Sequence, residues 1–264
     1  MPPKRVAVFA ATSWELEAVQ AGFPVGAERR IEGISVWVCP AGSREYWIVK
    51  TGMGLENAAQ AAVRVLTHQP FCLAVSTGFA CALIAMKVGA LLAGYDVALA
   101  CQQGTDVSPM GAVPGIERDV VVELVERVEP SGHIGRFVST EHVVTSAAEK
   151  RRFAQATGAI GLDMESAALA AEAQRAHVPF VVVRAVSDLV DEDLPLDFNL
   201  FLRPTGWLKG VAAIVSRPSS ITGLRRLHRQ SRVAAQTLTT FFRRYAAEMS
   251  AADTRVNSSM DTGS

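Results

Sequence analysis

The chain has 264 residues, of which 49% are hydrophobic and 20% are charged, and its formal net charge is zero. This length allows one large domain or two small ones with a substantial core. The balanced charge gives no indication of nucleic acid or of an acidic partner.

Four scattered cysteines without C-x-x-C spacing argue against a disulfide framework and against a zinc site. The apolar run that starts at Val6 ends at Ala11, which is too short for a secretory signal and is typical of a buried strand. The sequence has no window of about 18 uninterrupted apolar residues that would cross a membrane. We therefore expect a cytoplasmic protein.

Short β-branched apolar segments alternate with amphipathic segments along residues 1–217. The predicted strands are Arg5–Ala10, Ile34–Cys39, Tyr46–Lys50, Cys72–Thr77, Asp96–Cys101, Ile134–Ser139, Ala159–Leu162 and Phe180–Val186. The predicted helices are Trp14–Ala21, Leu55–His68, Glu117–Val128, Ala147–Ala156, Met164–His177 and Gly206–Val215. Because strands that interleave with helices are typical of α/β folds, we predict a single three-layer α/β/α domain with a central mixed sheet.

The sequence changes character after Pro218. Apolar residues such as Leu238, Phe241 and Tyr245 fall on one helical face, and arginines surround this face. The pattern predicts a basic amphipathic helix over residues 218–250, followed by a disordered tail over 251–264. Two interpretations stay open: a helix that packs on the domain or on a partner subunit, and a helix that lies on an anionic membrane surface.

Familiar cofactor and catalytic motifs do not occur. The first strand is followed by Ala10-Ala11-Thr12-Ser13, not by G-x-G-x-x-G, which disfavours a dinucleotide site. The chain has no Walker A, H-E-x-x-H or G-x-S-x-G sequence, and its five histidines lack metal-ligand spacing.

Polar residues follow several predicted strands, at the sheet edge where α/β proteins bind ligands. Among them, Glu165 lies at the start of a helix and Asp188 at the end of a buried strand. Two carboxylates in one crevice suit acid/base chemistry on a small substrate. Each residue alone also has a structural interpretation: Glu15 and Glu165 as first-turn acids, Asp188 as a helix cap, and Arg184 as a buried ion-pair partner.

Together these segments resemble the nucleoside phosphorylase/nucleosidase superfamily, particularly the methylthioadenosine/S-adenosylhomocysteine nucleosidases. The resemblance is strongest at Met164-Glu165 and at the Val-Pro-Phe-Val-Val-Val-Arg-Ala-Val-Ser-Asp segment of residues 178–188. Weaker matches are Thr51–Ala59, Ser76–Ala80 and the first strand leading to Glu15. The resemblance implies a nucleoside phosphorylase-like domain, a homo-oligomer such as a dimer, and no metal or organic cofactor.

The resemblance also implies roles for individual residues. Asp188, with Ser187 beside it, corresponds to the acid that protonates or hydrogen-bonds purine N7. Glu165 corresponds to the carboxylate that binds the ribose hydroxyls, with Met164 beneath the sugar, and Glu15 to the acid that activates water. The remaining implied substrate contacts are Met53, Gly54, Gly78, Phe79, Ala80, Val143, Val144, Arg184, and Phe198 over the 5′ substituent.

The expected activity is hydrolysis of the N-ribosidic bond of a purine-type nucleoside, with a 5′-modified adenosine as the expected substrate. The Thr77–Ala82 segment offers no arginine for phosphate, which favours water over phosphate as the co-substrate. Phosphorolysis through Arg184 or another arginine stays open. A lipid-linked adenosine stays open as its substrate, because residues 202–210 and the Arg-rich helix resemble hopanoid-associated phosphorylases.

Two departures keep a non-catalytic nucleoside-binding or membrane-associated module open as well. Gly78-Phe79-Ala80-Cys81-Ala82 stands where the nucleosidases have Gly-Ser-Ala-Gly-Gly, and Val143 stands near the position of their base-stacking aromatic residue.

Overall fold

The computed structural model describes residues 3–103, 106–114, 118–195 and 219–261. Its strands are β1 Lys4–Ala10, β2 Ala27–Ile31, β3 Ile34–Ala41, β4 Arg44–Lys50, β5 Leu73–Ala82, β6 Leu91–Gln103, β7 Asp106–Pro114, β8 His133–Ser139, β9 Gly161–Asp163 and β10 Phe180–Asp188. Its helices are α1 Ser13–Gln20, α2 Leu55–Leu66, α3 Arg118–Val128, α4 Ala147–Thr157, α5 Ser166–Arg175 and α6 Ser219–Asp261.

The strands form one mixed sheet, of which one end is open and the other end closes on itself. Strand β1 pairs in parallel with β4 and β5, and β2, β3 and β4 form an antiparallel meander at the open end. Strand β5 also pairs with β10, and the circuit β5–β10–β6–β8–β9 returns to β5. The predicted central mixed sheet is therefore confirmed, with a closed five-stranded barrel at one end.

Helices cover both faces of the sheet because the apolar strands bury both of their faces. Neighbouring side chains of β1 and β10 enter different cores: Phe9 and Val182 pack with α2 and α5, whereas Val8 and Val183 pack with α1, α3 and α6. Successive residues of a strand point to opposite faces, so a continuous apolar run requires a layer on each side. This arrangement confirms the predicted three-layer domain.

The structure adds two strands that the sequence pattern did not predict and lengthens several others, among them β5, which runs five residues past its predicted end at Thr77 to Ala82. Strand β2 is almost wholly exposed, so its sequence Ala-Glu-Arg-Arg-Ile carries no apolar alternation. Strand β7 contains proline and glycine, which are uncommon within strands. Strand β6 starts at Leu91, five residues before the predicted start at Asp96. The predicted helix Gly206–Val215 lies outside the described residues.

Helix α6 differs from its prediction at its C-terminal end. It continues to Asp261, whereas the sequence predicted its end at residue 250 and disorder from residue 251. Ala251 and Ala252 are strong helix formers, and extending an existing helix gains one backbone hydrogen bond per residue, so the predicted boundary was too early.

The apolar face of α6 packs on the domain. Leu238, Phe241, Phe242 and Tyr245 are all at most 3% exposed and join the core beside Tyr46. Of the two interpretations of this helix, the packing supports a helix docked on the domain, because the face that a membrane would receive is buried in the protein. No helix in the described ranges is long and apolar enough to cross a membrane.

Candidate active site

A cavity of about 290 Å³ opens where β1, β5 and β10 end. The sequence-predicted site residues among its lining are Glu15, Met53, Phe79, Ala80, Val143, Val144, Met164, Glu165, Arg184, Ser187 and Asp188. The predicted Gly54 and Gly78 contact these residues through their backbones, and Phe198 lies outside the described residues. The fold therefore brings together residues from six separate parts of the sequence.

Glu15 lines the cavity, and its side chain is held in place by the capping box at the start of helix α1. Thr12 is the N-cap, and its backbone N–H and its hydroxyl each donate to Glu15 Oε2 over 2.8 Å. The other oxygen, Oε1, accepts the Phe79 N–H over 2.6 Å. This capping box is the first-turn role that the sequence suggested, and it holds the carboxylate in one orientation beside β5.

Gly78 lets β5 pass close to this carboxylate. Its φ is +140°, and a Cβ at this position would lie 2.3 Å from Glu15 Oε1 and 2.8 Å from a terminal nitrogen of Arg184. No larger residue fits here without moving one of these charged groups.

Arg184 is fully buried among protein acceptors. Its Nη2 lies 3.1 Å from Asp163 Oδ2 and 3.5 Å from Glu165 Oε2, and it donates to Ser76 Oγ over 3.0 Å. Burial disfavours the cation, yet the neighbouring carboxylates outweigh it and raise the pKa of Arg184. The structural interpretation of this residue as a buried ion-pair partner is therefore confirmed.

Glu165 precedes helix α5 and faces both the cavity and the buried arginine. Its Oε1 accepts the Gly54 N–H over 2.9 Å, at the start of α2. Burial raises the pKa of Glu165 to about 7, with Arg184 opposing the shift and Asp163 adding to it. The Glu165 carboxyl is therefore easier to protonate than an exposed carboxyl.

Asp188 ends β10, and its carboxylate is paired with a lysine that sequence reasoning missed. Lys150 Nζ lies 2.7 Å from Asp188 Oδ2 and is fully buried. Burial raises the pKa of Asp188, and the Lys150 cation opposes this shift. The sequence did contain an indication that Lys150 is buried: it falls at helical spacing with Ala147, Phe153 and Thr157, and these four residues form the buried stripe of α4.

Asp163 was also missed, and it connects three parts of the site. It accepts hydrogen bonds from Ser139 Oγ over 2.5 Å and from the Glu165 and Ser166 N–H groups, and it pairs with Arg184. It therefore fixes the start of α5, and with it Glu165.

The rest of the cavity wall is mostly apolar. Leu194 and Leu227, which the sequence did not indicate, complete a wall that includes Val143 and Phe79. Phe79 meets Trp14 edge to face, with ring centroids 5.9 Å apart. Leu227 comes from α6, so the C-terminal helix contributes to the cavity.

The arrangement can bind a small, mostly apolar molecule and surround it with carboxyl groups. Glu15 and Glu165 are oriented by backbone donors, and Asp188 by a buried cation. Acids with distinct environments in one site are suited to separate acid and base roles.

Comparison with known proteins gives one family. The model of the phosphorylase superfamily matches residues 5–203. A curated 5′-methylthioadenosine/S-adenosylhomocysteine nucleosidase from Staphylococcus aureus is 30% identical over 173 residues, which are 60% of this chain and 75% of that protein.

Solved structures share the fold at low sequence identity. A 5′-methylthioadenosine/S-adenosylhomocysteine nucleosidase from Helicobacter pylori superposes with a TM-score of 0.73 at 14% identity, covering 94% of this chain and 100% of that one. Futalosine hydrolase from the same organism gives a TM-score of 0.72 at 16% identity, covering 93% and 98%. From the extent of the family match and the similarity of the nucleosidase sequence, the chain belongs to the phosphorylase superfamily.

Proposed function

We propose that this protein is an enzyme that hydrolyses the N-ribosidic bond of a 5′-modified adenosine. The observation that carries the proposal is the meeting of Glu15, Glu165 and Asp188 at one apolar cavity, in a chain that is 30% identical to 5′-methylthioadenosine/S-adenosylhomocysteine nucleosidases.

In the proposed reaction Asp188 transfers its proton to purine N7. The bond between C1′ and N9 breaks, and its electron pair moves to the protonated base. A water oxygen bonds to C1′, and its proton moves to Glu15. A purine leaves poorly without such protonation, and the raised pKa of Asp188 favours the acid form that this step needs.

Glu165 is proposed to accept hydrogen bonds from the ribose hydroxyls. Positive charge develops on the sugar as the base departs, so an anionic Glu165 stabilises the transition state more than the ground state.

Water is favoured over phosphate as the co-substrate. Among the described residues, Arg184 is the arginine that lines the cavity, and it already donates to Ser76 and pairs with Asp163. Glu15 and Glu165 would repel a phosphate dianion at close range.

An apolar 5′ substituent suits a cavity whose wall is mostly apolar, with Phe79, Leu194 and Leu227 among its lining. Burying such a group contributes roughly 25 cal/mol for each Å² removed from water. We therefore expect a thioether such as that of methylthioadenosine to bind more tightly than an unmodified hydroxymethyl group.

The test is a panel of methylthioadenosine, adenosylhomocysteine, futalosine and inosine, each incubated without phosphate while free base is measured. We expect base from at least one 5′-modified nucleoside and the smallest yield from inosine. Release of base from none of them would contradict the proposal. Tight binding over hours without product would instead support a nucleoside-binding module.

A further inference from the structure

Lys150 is a buried charge that the proposed reaction does not yet use. It lies on α4 and is 0% exposed. Its Nζ lies 2.8 and 2.7 Å from the two Asp188 oxygens, and it donates to the carbonyls of Leu189 over 3.0 Å and Glu192 over 2.6 Å.

These partners suit an ammonium at Lys150 when Asp188 is ionised. The carboxylate and the two carbonyl groups act as acceptors, so the nitrogen needs three N–H bonds to meet them. An ammonium has three and a neutral amine has two. An isolated buried ammonium is strongly disfavoured, so Lys150 favours the ionised form of Asp188, which is the form that proton transfer to the base produces.

The contacts of Lys150 also fix the position of the Asp188 side chain. Lys150 holds both the end of β10 and the turn that follows it, because its partners span residues 188–192. Helix α6 supports the same turn: Gln230 donates to Glu192 Oε2 over 2.8 Å, and Arg226 donates to the Asp193 carbonyl over 3.0 Å. The Asp188 carboxylate therefore has one defined position at the cavity wall.

We propose that Lys150 is a positioning residue for protonation of the base: it orients Asp188 and stabilises the carboxylate that forms as the proton leaves for purine N7. This inference rests on the proposed function. It assigns Lys150 a role in proton transfer through Asp188, without contact to the substrate.

Other titratable groups face the pair from the neighbouring elements. The Cys81 thiol on β5 lies beside Asp188, and burial raises its pKa well above the usual range, so it stays neutral. Glu192 on the turn adds a negative charge that raises the pKa of Asp188. Asp193 accepts the Ala147 N–H over 2.7 Å at the start of α4. Lys150 is the positive charge that opposes burial and Glu192.

The test compares Lys150→Met with Arg151→Met. Both changes remove a cation from α4, but Arg151 is exposed and pairs with the exposed Asp191. The pKa of Asp188 is measured by NMR titration of aspartate labelled with ¹³C in its carboxyl group, and its signal is assigned by its loss in Asp188→Asn. The pH profile of kcat/KM is recorded in parallel.

In Lys150→Met we expect the Asp188 pKa to rise by about 1 to 3 pH units, because a neighbouring opposite charge is lost. The alkaline limb of kcat/KM should move up by the same amount, and its plateau should fall roughly 10²-fold as the carboxylate loses its orientation. Arg151→Met should match the wild type in both measurements.

An Asp188 pKa that is equal in Lys150→Met and Arg151→Met would overturn the proposal, as would an unmoved alkaline limb. If Lys150→Met does not fold, Lys150→Gln removes the charge but keeps two hydrogen-bond donors, and is judged by the same two measurements. If the wild type cleaves no nucleoside, the proposed function fails, yet the NMR titration still decides the effect of Lys150 on Asp188.

Discussion

Glu15 explains why single residues of this site were hard to interpret from the sequence. Its position three residues after Thr12 identifies it as a capping residue, and that role is present. The same carboxylate also contacts the Phe79 backbone from a strand 64 positions away. The structural and the functional interpretations of such a residue are therefore compatible, and only the packing of α1 against β5 shows both.

Replacing Asp188 by Asn should lower both catalysis and stability. We expect kcat/KM to fall by about 10² to 10⁴-fold, because the amide cannot donate an acidic proton to N7. The change also leaves the Lys150 cation without a counterion, so the free energy of unfolding should fall by about 3 kcal/mol. Steady-state kinetics and urea denaturation measure the two effects. Retained activity in a folded variant would remove Asp188 from the mechanism.

Glu165 should produce an acid limb in the pH profile. Its pKa is raised to about 7, and only its ionised form stabilises positive charge on the sugar, so kcat/KM should increase as the pH rises through about 7. Glu165→Gln should lose this limb and fall about 10 to 100-fold at pH 8, the effect of losing a charge-assisted hydrogen bond.

The matched control for this variant is Glu126→Gln on the exposed face of α3. Its pH profile should coincide with that of the wild type. An acid limb that persists unchanged in Glu165→Gln would assign the titration to another group.

The elements that sequence patterns predicted well are those buried on both faces or on one helical stripe. Strand β10 is buried throughout, and α2 buries Ala58, Ala62 and Val65 at helical spacing. Strands β2 and β7 were missed because an exposed edge and a Pro- and Gly-containing strand carry little apolar periodicity. Lys150 was missed because a charged residue on a predicted amphipathic helix is normally exposed.

Helix α6 should be essential for stability. Phe241 is 2% exposed in the core beneath it, and Phe241→Ala should lower the free energy of unfolding by about 3 to 5 kcal/mol through lost burial and a cavity. Thr240→Ala, at the exposed neighbouring position, should stay within about 0.5 kcal/mol of the wild type. Equal stability of the two variants, measured by urea denaturation, would mean that α6 is not part of the core.

The closed circuit of strands joins the site into one unit. Strands β5 and β10 are neighbours although about 100 residues separate them in sequence, and their C-terminal halves carry Gly78, Phe79 and Asp188. Local patterns identify each strand but not its partners, so the barrel and the contact between Glu165 and Gly54 could not be read from the sequence. The family resemblance indicated which residues form the site, and the strand topology explains why they lie close together.

The assembly state stays a prediction. We expect a homodimer, as the family resemblance implies, with a mass in light scattering near twice the 28.2 kDa of one chain. A mass of one chain across the working concentration range would contradict it.

The choice between water and phosphate is decided by measuring adenine release from methylthioadenosine against phosphate concentration, with ³¹P NMR of the products. We predict the same rate with and without phosphate and free methylthioribose as the sugar product, because Glu15 faces the cavity and Arg184 is engaged by Asp163. A rate that requires phosphate, with a sugar 1-phosphate among the products, would contradict hydrolysis.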